Sequence, residues 1–292
     1  MKDDNNKGPG GPEQPGDAGG DLTGFMQRES ISLVTPTEQE FQIKGYSINN
    51  ITHFFSSEEN IINYDNDDQY IGETWEGKRN GVGKYVYAND KNLYFGEWVM
   101  GKKNGLGVFI WNDGEKYEGN WVYDMMHGRG KYSYTNGDIF DGEWINDMKQ
   151  GYGDYNYQSN QSRYSGYWMN NKRSGKGSFW WSNGDHYDGL WAESKMSGFG
   201  VYTFADGESY EGNWMNDERN GFGIYNYDNG DRFEGNWINN IRTGKGIYYY
   251  ENGDVYEGDF LDNQFHGYGK FTSTEGGIDE GLWENGKLIK AN

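Results

Sequence analysis

The chain has 292 residues, of which 26 are Lys or Arg and 46 are Asp or Glu, a formal charge of −20. That balance excludes gripping nucleic acid by bulk electrostatics and works against binding anionic lipid, and the absence of Cys excludes disulfides, thiolate zinc sites and cysteine nucleophiles. Only 34% of residues are hydrophobic, yet 18% are aromatic and Gly reaches 47 against 4 Pro, a departure from Leu-, Ile- and Val-filled cores that predicts repetition.

In chain order, the first residues, Met1-Lys2-Asp3-Asp4, carry no apolar run of the kind a signal peptide needs. No stretch of about 18 apolar residues follows, so no membrane-spanning helix is expected and the chain reads as soluble and intracellular. The glycosylation patterns at Asn50-Ile51-Thr52 and Asn160-Gln161-Ser162 are then chance matches. Pro9, Pro12, Pro15 and Pro36 are the four prolines, and Gly8 to Gly20 is almost free of apolar residues. Residues 1–40 are therefore expected to be a disordered Gly/Pro/acidic tail, because they bury too little surface to offset their ordering entropy. Residues 41–69 bring apolar residues back, among them Phe41, Ile43, Tyr46, Ile51 and Phe55. They are read as an N-terminal capping or partner-binding segment, the cap being preferred because a repeat stack must cover its first open edge.

Residues 70–292 form the repeat array. Tyr117-Glu118-Gly119-Asn120-Trp121 returns as Phe140-Asp141-Gly142-Glu143-Trp144, as Tyr187-Asp188-Gly189-Leu190-Trp191 and as Tyr210-Glu211-Gly212-Asn213-Trp214. The central glycines from Gly72 to Gly281 are spaced by 23 residues, or by 24 at two places, and each of the first nine is followed nine residues later by Gly-x-Gly. Both halves alternate with period two, which is a strand signal. Tyr210, Gly212 and Trp214 share one face of the first strand; Gly221, Gly223, Tyr225 and Tyr227 share one face of the second. A two-residue loop at Asn-Gly would invert one aromatic set, so three-residue turns are predicted at Thr135-Asn136-Gly137, Ser182-Asn183-Gly184, Asp228-Asn229-Gly230 and Glu251-Asn252-Gly253, pairing Tyr225 with Phe233 and Gly223 with Gly235. The predicted fold is all-β: an elongated single-layer antiparallel sheet of about ten consecutive hairpin repeats, twisted into a solenoid-like ribbon. Glycine removes a Cβ from the apolar face and lets rings lie on bare backbone, replacing a second layer.

The recurring Tyr-x-Gly-x-Trp, Gly-x-Gly and Asn-Gly-Asp elements resemble the MORN (membrane occupation and recognition nexus) repeat family over Tyr70 to about Gly286. There are departures. Thr74 stands at a Trp position with Trp75 one place later, Phe260 replaces Trp in the ninth unit, and the connection Gln158 to Arg163 lacks Asn-Gly and is one residue longer. The resemblance implies a non-catalytic scaffold or protein-interaction module. It is closest to the radial-spoke-head and axonemal members, with other structural proteins such as radial-spoke or axonemal subunits as partners and the cilium or flagellum axoneme as location. The competing implication, suggested by the family's name, is a cortical or membrane-associated adaptor that recognises phosphoinositides or organises the cytoskeleton.

No cofactor and no metal is expected. His127 and His266 recur at one repeat position without neighbouring ligands and are read, with His53 and His186, as loop histidines. Gly-x-Gly precedes a strand here, not the helix that a phosphate loop requires, and no nucleophile and base converge, so no enzyme is expected. Acid pairs such as Asp217 and Glu218 are read as solvated turn residues. Outward positions of the first strand form an acidic stripe, Glu118, Asp141, Asp188, Glu211, Glu234, Glu257 and Glu280, which serves either solubility or docking. Two partner-binding candidates follow. One is an outward apolar patch of Phe199, Val201, Phe222, Ile224 and Ile247, which the chain's own 41–64 segment would otherwise cover. The other is a groove lined by Trp121, Trp144, Trp168, Trp191, Trp214 and Trp237, whose competing role is the fold's own core. Open sheet edges also favour self-association.

Overall fold

Alternating rings and bare backbone give strands almost throughout. The structure, a computed structural model, describes residues 41–291; the tail expected over residues 1–40 lies outside the described residues. A small hairpin, β1 (Gln42–Ile43) and β2 (Tyr46–Ser47), leads to a one-turn helix, α1 (Ile51–Phe54). A short strand, β3 (Ile61–Asn63), then pairs antiparallel with β4 (Gln69–Trp75). The hairpins follow in sequence: β5 (Lys78–Val86), β6 (Leu93–Val99), β7 (Lys102–Ile110), β8 (Lys116–Val122), β9 (Met125–Ser133), β10 (Ile139–Ile145), β11 (Met148–Tyr157) and β12 (Ser162–Met169). They continue through β13 (Lys172–Trp180), β14 (His186–Ala192), β15 (Lys195–Thr203), β16 (Ser209–Met215), β17 (Glu218–Asn226), β18 (Arg232–Ile238), β19 (Ile241–Tyr249), β20 (Val255–Leu261), β21 (Gln264–Thr272), β22 (Ile278–Glu284) and β23 (Lys287–Ala291). The described residues form two compact units, 41–171 and 172–291. In each, from β3 onward, every strand pairs antiparallel with its chain neighbours in that unit, and the sheet is open, with β3 registered on β4 and β23 on β22; β1 and β2 form a separate two-stranded sheet. The all-β, single-layer reading therefore holds within each unit.

The turns explain how one face stays aromatic. At Asp228-Asn229-Gly230 the Tyr227 N–H donates to the Asp231 carbonyl (2.9 Å) and the Gly230 N–H to the Tyr227 carbonyl (3.2 Å), with Gly230 at φ +88°. This is a three-residue loop closed by a left-handed glycine, and it sets Tyr225 opposite Phe233 and Gly223 opposite Gly235, as predicted. The turns ending at Gly137, Gly184 and Gly253 repeat the pattern. The two 24-residue spacings arise where Tyr87 and Asn92, and Tyr157 and Ser162, flank four-residue loops instead. The opposite hairpin ends close through two residues with positive φ, such as Asn216 (53°) and Asp217 (73°), the geometry that matches strand twist.

The two glycines of Gly-x-Gly have different reasons, where the sequence reading gave one. Gly221 sits at φ +81°, in the stretch of β17 where the register to β16 shifts between Gly212 and Trp214, so its requirement is conformational. Gly223 is required by contact. A Cβ there would lie 2.3 Å from the Tyr210 hydroxyl oxygen and 2.4 Å from its Cζ, because the Tyr210 ring lies flat across Gly212 and Gly223. The ring that covers the glycines is thus the Tyr or Phe that opens each repeat. Its hydroxyl reaches over them to the carbonyl three residues on, Tyr210 to Asn213 at 3.1 Å and Tyr117 to Asn120 at 2.9 Å. The indole N–H of each Trp donates to the carbonyl of the second glycine one repeat earlier, Trp191 to Gly177 at 2.9 Å and Trp144 to Gly130 at 3.0 Å.

Both rows of turns are stapled between repeats. Asp185 is buried at the end of one turn; its Oδ2 accepts the Tyr202 hydroxyl (2.7 Å) and its Oδ1 the Ala205 N–H (2.9 Å) of the next repeat. Asp68, Asp138 and Asp231 do the same. At the two-residue turns, Asp217 Oδ1 accepts the Met196 N–H (2.7 Å) and Asn240 Oδ1 the Arg219 N–H (2.9 Å). Asp217 is a staple, not the free solvated acid that its sequence context predicts, and Glu218 belongs to strand β17.

Gly223→Ala is expected to cost about 1–3 kcal/mol by overpacking. The cost should shrink by more than 1 kcal/mol in a Tyr210→Ala background, read from urea denaturation midpoints in a double-mutant cycle. Asp185→Ala, which orphans the Ala205 N–H and the Tyr202 hydroxyl, is expected to cost a further about 2 kcal/mol in the same assay.

Candidate functional site

Each unit presents two faces, and they differ in what they leave free. On the inner face the Trp rings stand edge-on between successive Tyr or Phe rings. Tyr187 meets Trp191 at 5.2 Å and 89° and Trp214 at 5.6 Å and 85°; Tyr94 meets Trp98 at 4.9 Å and Trp121 at 5.5 Å. A further side chain closes over each indole. Five residues after each Trp position stand Arg79, Lys103, Met126, Lys149, Arg173, Met196, Arg219, Arg242 and Phe265. Lys103 Nζ lies 4.2 Å from the Trp121 ring centroid, and the Arg219 and Arg173 guanidinium carbons lie 4.4 and 4.6 Å from Trp237 and Trp191, in cation–π contact. Trp121, Trp144, Trp168, Trp191, Trp214 and Trp237 are each only 3% exposed. Of the two roles considered for these six residues, their burial matches the core of a one-layer sheet, lidded by neighbouring side chains, and leaves little of each indole exposed as the wall of a groove.

Burial has an electrostatic consequence on this face. Desolvation by the surrounding rings, opposed by the Asp124 carboxylate, brings the Lys103 ammonium down to about 8. Burial likewise pushes Tyr87 up to about 12, and lowers Arg219 below the usual guanidinium range. The cations on this face therefore act as ring covers more than as free charge.

The outer face carries the second candidate. Phe199 and Phe222, the residues between the two glycines on β15 and β17, are 52% and 54% exposed, while Val201, Ile224 and Ile247 are half-buried. Register places these residues in two transverse rows. Phe199 lies opposite Asn213 and Phe222 opposite Asn236. In the parallel row Asp188, Val201, Glu211, Ile224, Glu234, Ile247 and Glu257 follow one another across six strand pairings, acid and aliphatic in strict alternation. The five sequence-predicted patch residues thus share one face. Leu190, 43% exposed and placed beside Gly198, extends the patch; its signal was an apolar residue where Glu97, Asn120, Glu143, Asn213 and Asn236 precede Trp in other repeats.

On the unit 41–171 the outer face is partly covered. Ile43 and Ile51 are buried against Val82, Phe95 and Val108, with Phe41, Tyr46 and Phe55 packed around them. Lys44 bridges to Glu97 (2.9 Å), and Lys84 Nζ approaches the Ile48 carbonyl (3.4 Å). The hydrogen bond and charge of Glu97 raise the Lys44 ammonium. Residues 41–55 therefore lie on the outer face over β4 to β7, while β3 pairs along the edge of β4.

The histidines were misplaced by the sequence reading: His127, His186 and His266 lie in β9, β14 and β21, not in loops. His186 stacks on Trp180 (5.1 Å, 17°) on the outer face, an arrangement that no motif announced. Among the described residues no three His, Asp or Glu side chains converge as metal ligands.

A repeat unit defined by a ring laid over two glycines, with Trp bonded to the previous repeat, is matched by the MORN repeat model nine times, over residues 70–91, 94–116, 117–139, 140–162, 164–186, 187–209, 210–232, 233–255 and 256–278. The chain belongs to the MORN-repeat family. MORN repeats build protein-interaction and scaffold modules. No curated protein matches the chain closely enough to count as a relative. Among solved structures it is similar to the TCP10 domain of Danio rerio CPAP (9% identity, 76% of this chain and 99% of that one, TM-score 0.39). It is also similar to the CPAP G-box domain (10%, 77% and 98%, TM-score 0.36) and to the Drosophila melanogaster SAS-4 TCP domain in complex with a proline-rich motif of Ana2 (15%, 52% and 83%, TM-score 0.34). Superpositions at that level transfer no property to this MORN array. Among the described residues no helix is long and apolar enough to cross a membrane.

Met126 and Met196 occupy the Lys103 position in other repeats, so the site accepts a neutral chain of that length. Burial lowers the folded-state pKa of Lys103, so its charge penalises folding below pH about 8 and is relieved as pH rises towards the unfolded value of about 10.4. Lys103→Met is therefore expected to stabilise the protein at pH 7 by about 1–3 kcal/mol, discounted for partial exposure, and the advantage should vanish by pH 10.5 in urea melts.

Proposed function

We propose that this MORN array is a non-catalytic structural scaffold that binds other structural proteins in the cytoplasm, in the ciliary or flagellar axoneme, as a radial-spoke-head component does. The observation that carries the scaffold reading is the exposed outer run of Leu190, Phe199 and Phe222 beside carboxylates, on a sheet whose inner aromatic face is already filled. Solvent-facing aromatics bounded by charge mark contact surfaces. The axonemal placement rests on the resemblance of the repeats to radial-spoke members.

Full-length protein mixed with detergent-extracted axonemes at physiological salt is expected to co-sediment with them. Phe199→Ser/Phe222→Ser is expected to reduce the bound fraction at least tenfold while shifting stability by only about 0.5 kcal/mol per half-exposed site. Binding to phosphoinositide vesicles in place of axonemes would overturn the reading in favour of a membrane adaptor.

A further inference from the structure

The chain shows what its outer face takes, because it already covers one part of that face itself. Over β4 to β7 the cover is a short segment with Ile43 and Ile51 buried and Lys44 held by Glu97. It is an apolar segment with a cation set among its anchors. Val82 and Val108 under that cover occupy the same repeat positions as Phe199 or Phe222 and Val201 or Ile224 in the other unit, which the described residues leave open.

The open stretch adds a spacing. Between Asp188 and Glu257 the transverse row holds carboxylates on alternate strands and no interleaved cation; Lys270 is the first, opposite Glu257. Arg232 bonds Glu234 from the neighbouring row, and Lys176 and Lys245 bound the aromatic row at either end. With strands about 4.8 Å apart, successive carboxylates, and likewise Phe199 and Phe222, recur about every 9.6 Å. A polyproline-II segment rises about 3.1 Å per residue with three residues per turn, so every third side chain falls on one side about 9.3 Å apart. A β-strand repeats a face about every 6.6 Å, and a helix returns one after seven residues at about 10.5 Å. Over three intervals the helix runs out of step by about 2.7 Å and the polyproline-II segment by about 0.9 Å.

We propose that the outer face at Phe199, Val201, Glu211, Phe222 and Ile224 docks a basic partner segment in the polyproline-II conformation, laid across the strands, with Lys or Arg at every third residue over the carboxylate row and apolar residues between them on the aromatic row. This rests on the scaffold reading and names the chemistry of its partner. A second copy of this chain is the poorer occupant, since two such rows meet carboxylate to carboxylate.

The probe is a fluorescein-labelled twelve-residue peptide of Pro-Leu-Lys triplets, titrated into the full chain by fluorescence anisotropy at about 150 mM salt. Binding is expected to weaken at least tenfold in Phe199→Ser/Phe222→Ser and at least tenfold in Glu211→Gln/Glu234→Gln. A peptide of the same composition with its lysines scrambled, and a helix-forming peptide with Lys at every seventh residue, should each bind at least tenfold more weakly. No binding of the triplet peptide at 1 mM, equal binding of the scrambled or helical peptide, or indifference to either double variant would overturn the proposal. So would a change in sedimentation coefficient of the unliganded chain caused by Phe199→Ser/Phe222→Ser, which would make a second copy the occupant. If co-sedimentation with axonemes persists while the triplet peptide fails, only the occupant falls; if both fail, the scaffold reading falls with it.

Discussion

Everything in this protein depends on one contact: a Tyr or Phe ring lying flat on two facing glycines. A single sheet has no second layer to bury its apolar face, so it must supply its own cover from side chains already on that face. The Tyr210 ring can reach across Gly212 and Gly223 only because neither carries a Cβ, and its hydroxyl then satisfies a backbone carbonyl where the register shifts. The ring is thereby held edge-on between Trp214 and Trp237, at 5.0 and 5.5 Å, so the same placement builds the inter-repeat contact. Aromatic side chains bring roughly 150–250 Å² each to burial, which is how a chain poor in aliphatic residues makes a core.

Stacking alone would leave the turn ends open. The polar groups at those ends are satisfied between repeats, by buried carboxylates at the three-residue turns and by Asp or Asn at the two-residue turns. Each repeat therefore donates hydrogen bonds to its neighbours as well as rings, the nearest-neighbour coupling that makes repeat arrays cooperative. Long side chains close the inner face from above. Lys, Arg, Met and Phe all serve at that position, because the requirement is length and an apolar stem; the charge is tolerated over the ring faces.

Because the inner face is fully used, the outer face is where one repeat can differ from another without unfolding. It is covered by residues 41–55 over β4 to β7, carries interleaved Lys and acid at Glu118, Lys131 and Asp141, and is apolar and acidic around Phe199 and Phe222. Such variation on a constant frame is what a scaffold needs to present different surfaces along one chain. The six Trp residues, the second binding candidate offered by the sequence, are each 3% exposed, while the less conspicuous Phe199, Phe222 and Leu190 stand in solvent.

The sequence by itself determined the hairpin repeat, the pairing of Tyr225 with Phe233, the three-residue turns closed by Gly230 and its counterparts, and the sharing of one face by Phe199, Val201, Phe222, Ile224 and Ile247. These follow from period-two alternation and loop parity, which are local rules and propagate unchanged through each unit. The role of the fifth residue after Trp was also written in the 23-residue period, but as Arg, Lys, Met and Phe it shares no chemistry that a pattern search would catch. Only the tertiary structure decided which ring covers the glycines, that Gly221 and Gly223 answer to different demands, that Asp217 is a staple, and that the indoles are sealed while Phe199 and Phe222 are open. Those outcomes turn on contacts that skip along the chain, Tyr210 to Gly223, Trp191 to Gly177 and Asp217 to Met196, where reach and backbone curvature, not alternation, choose the partner.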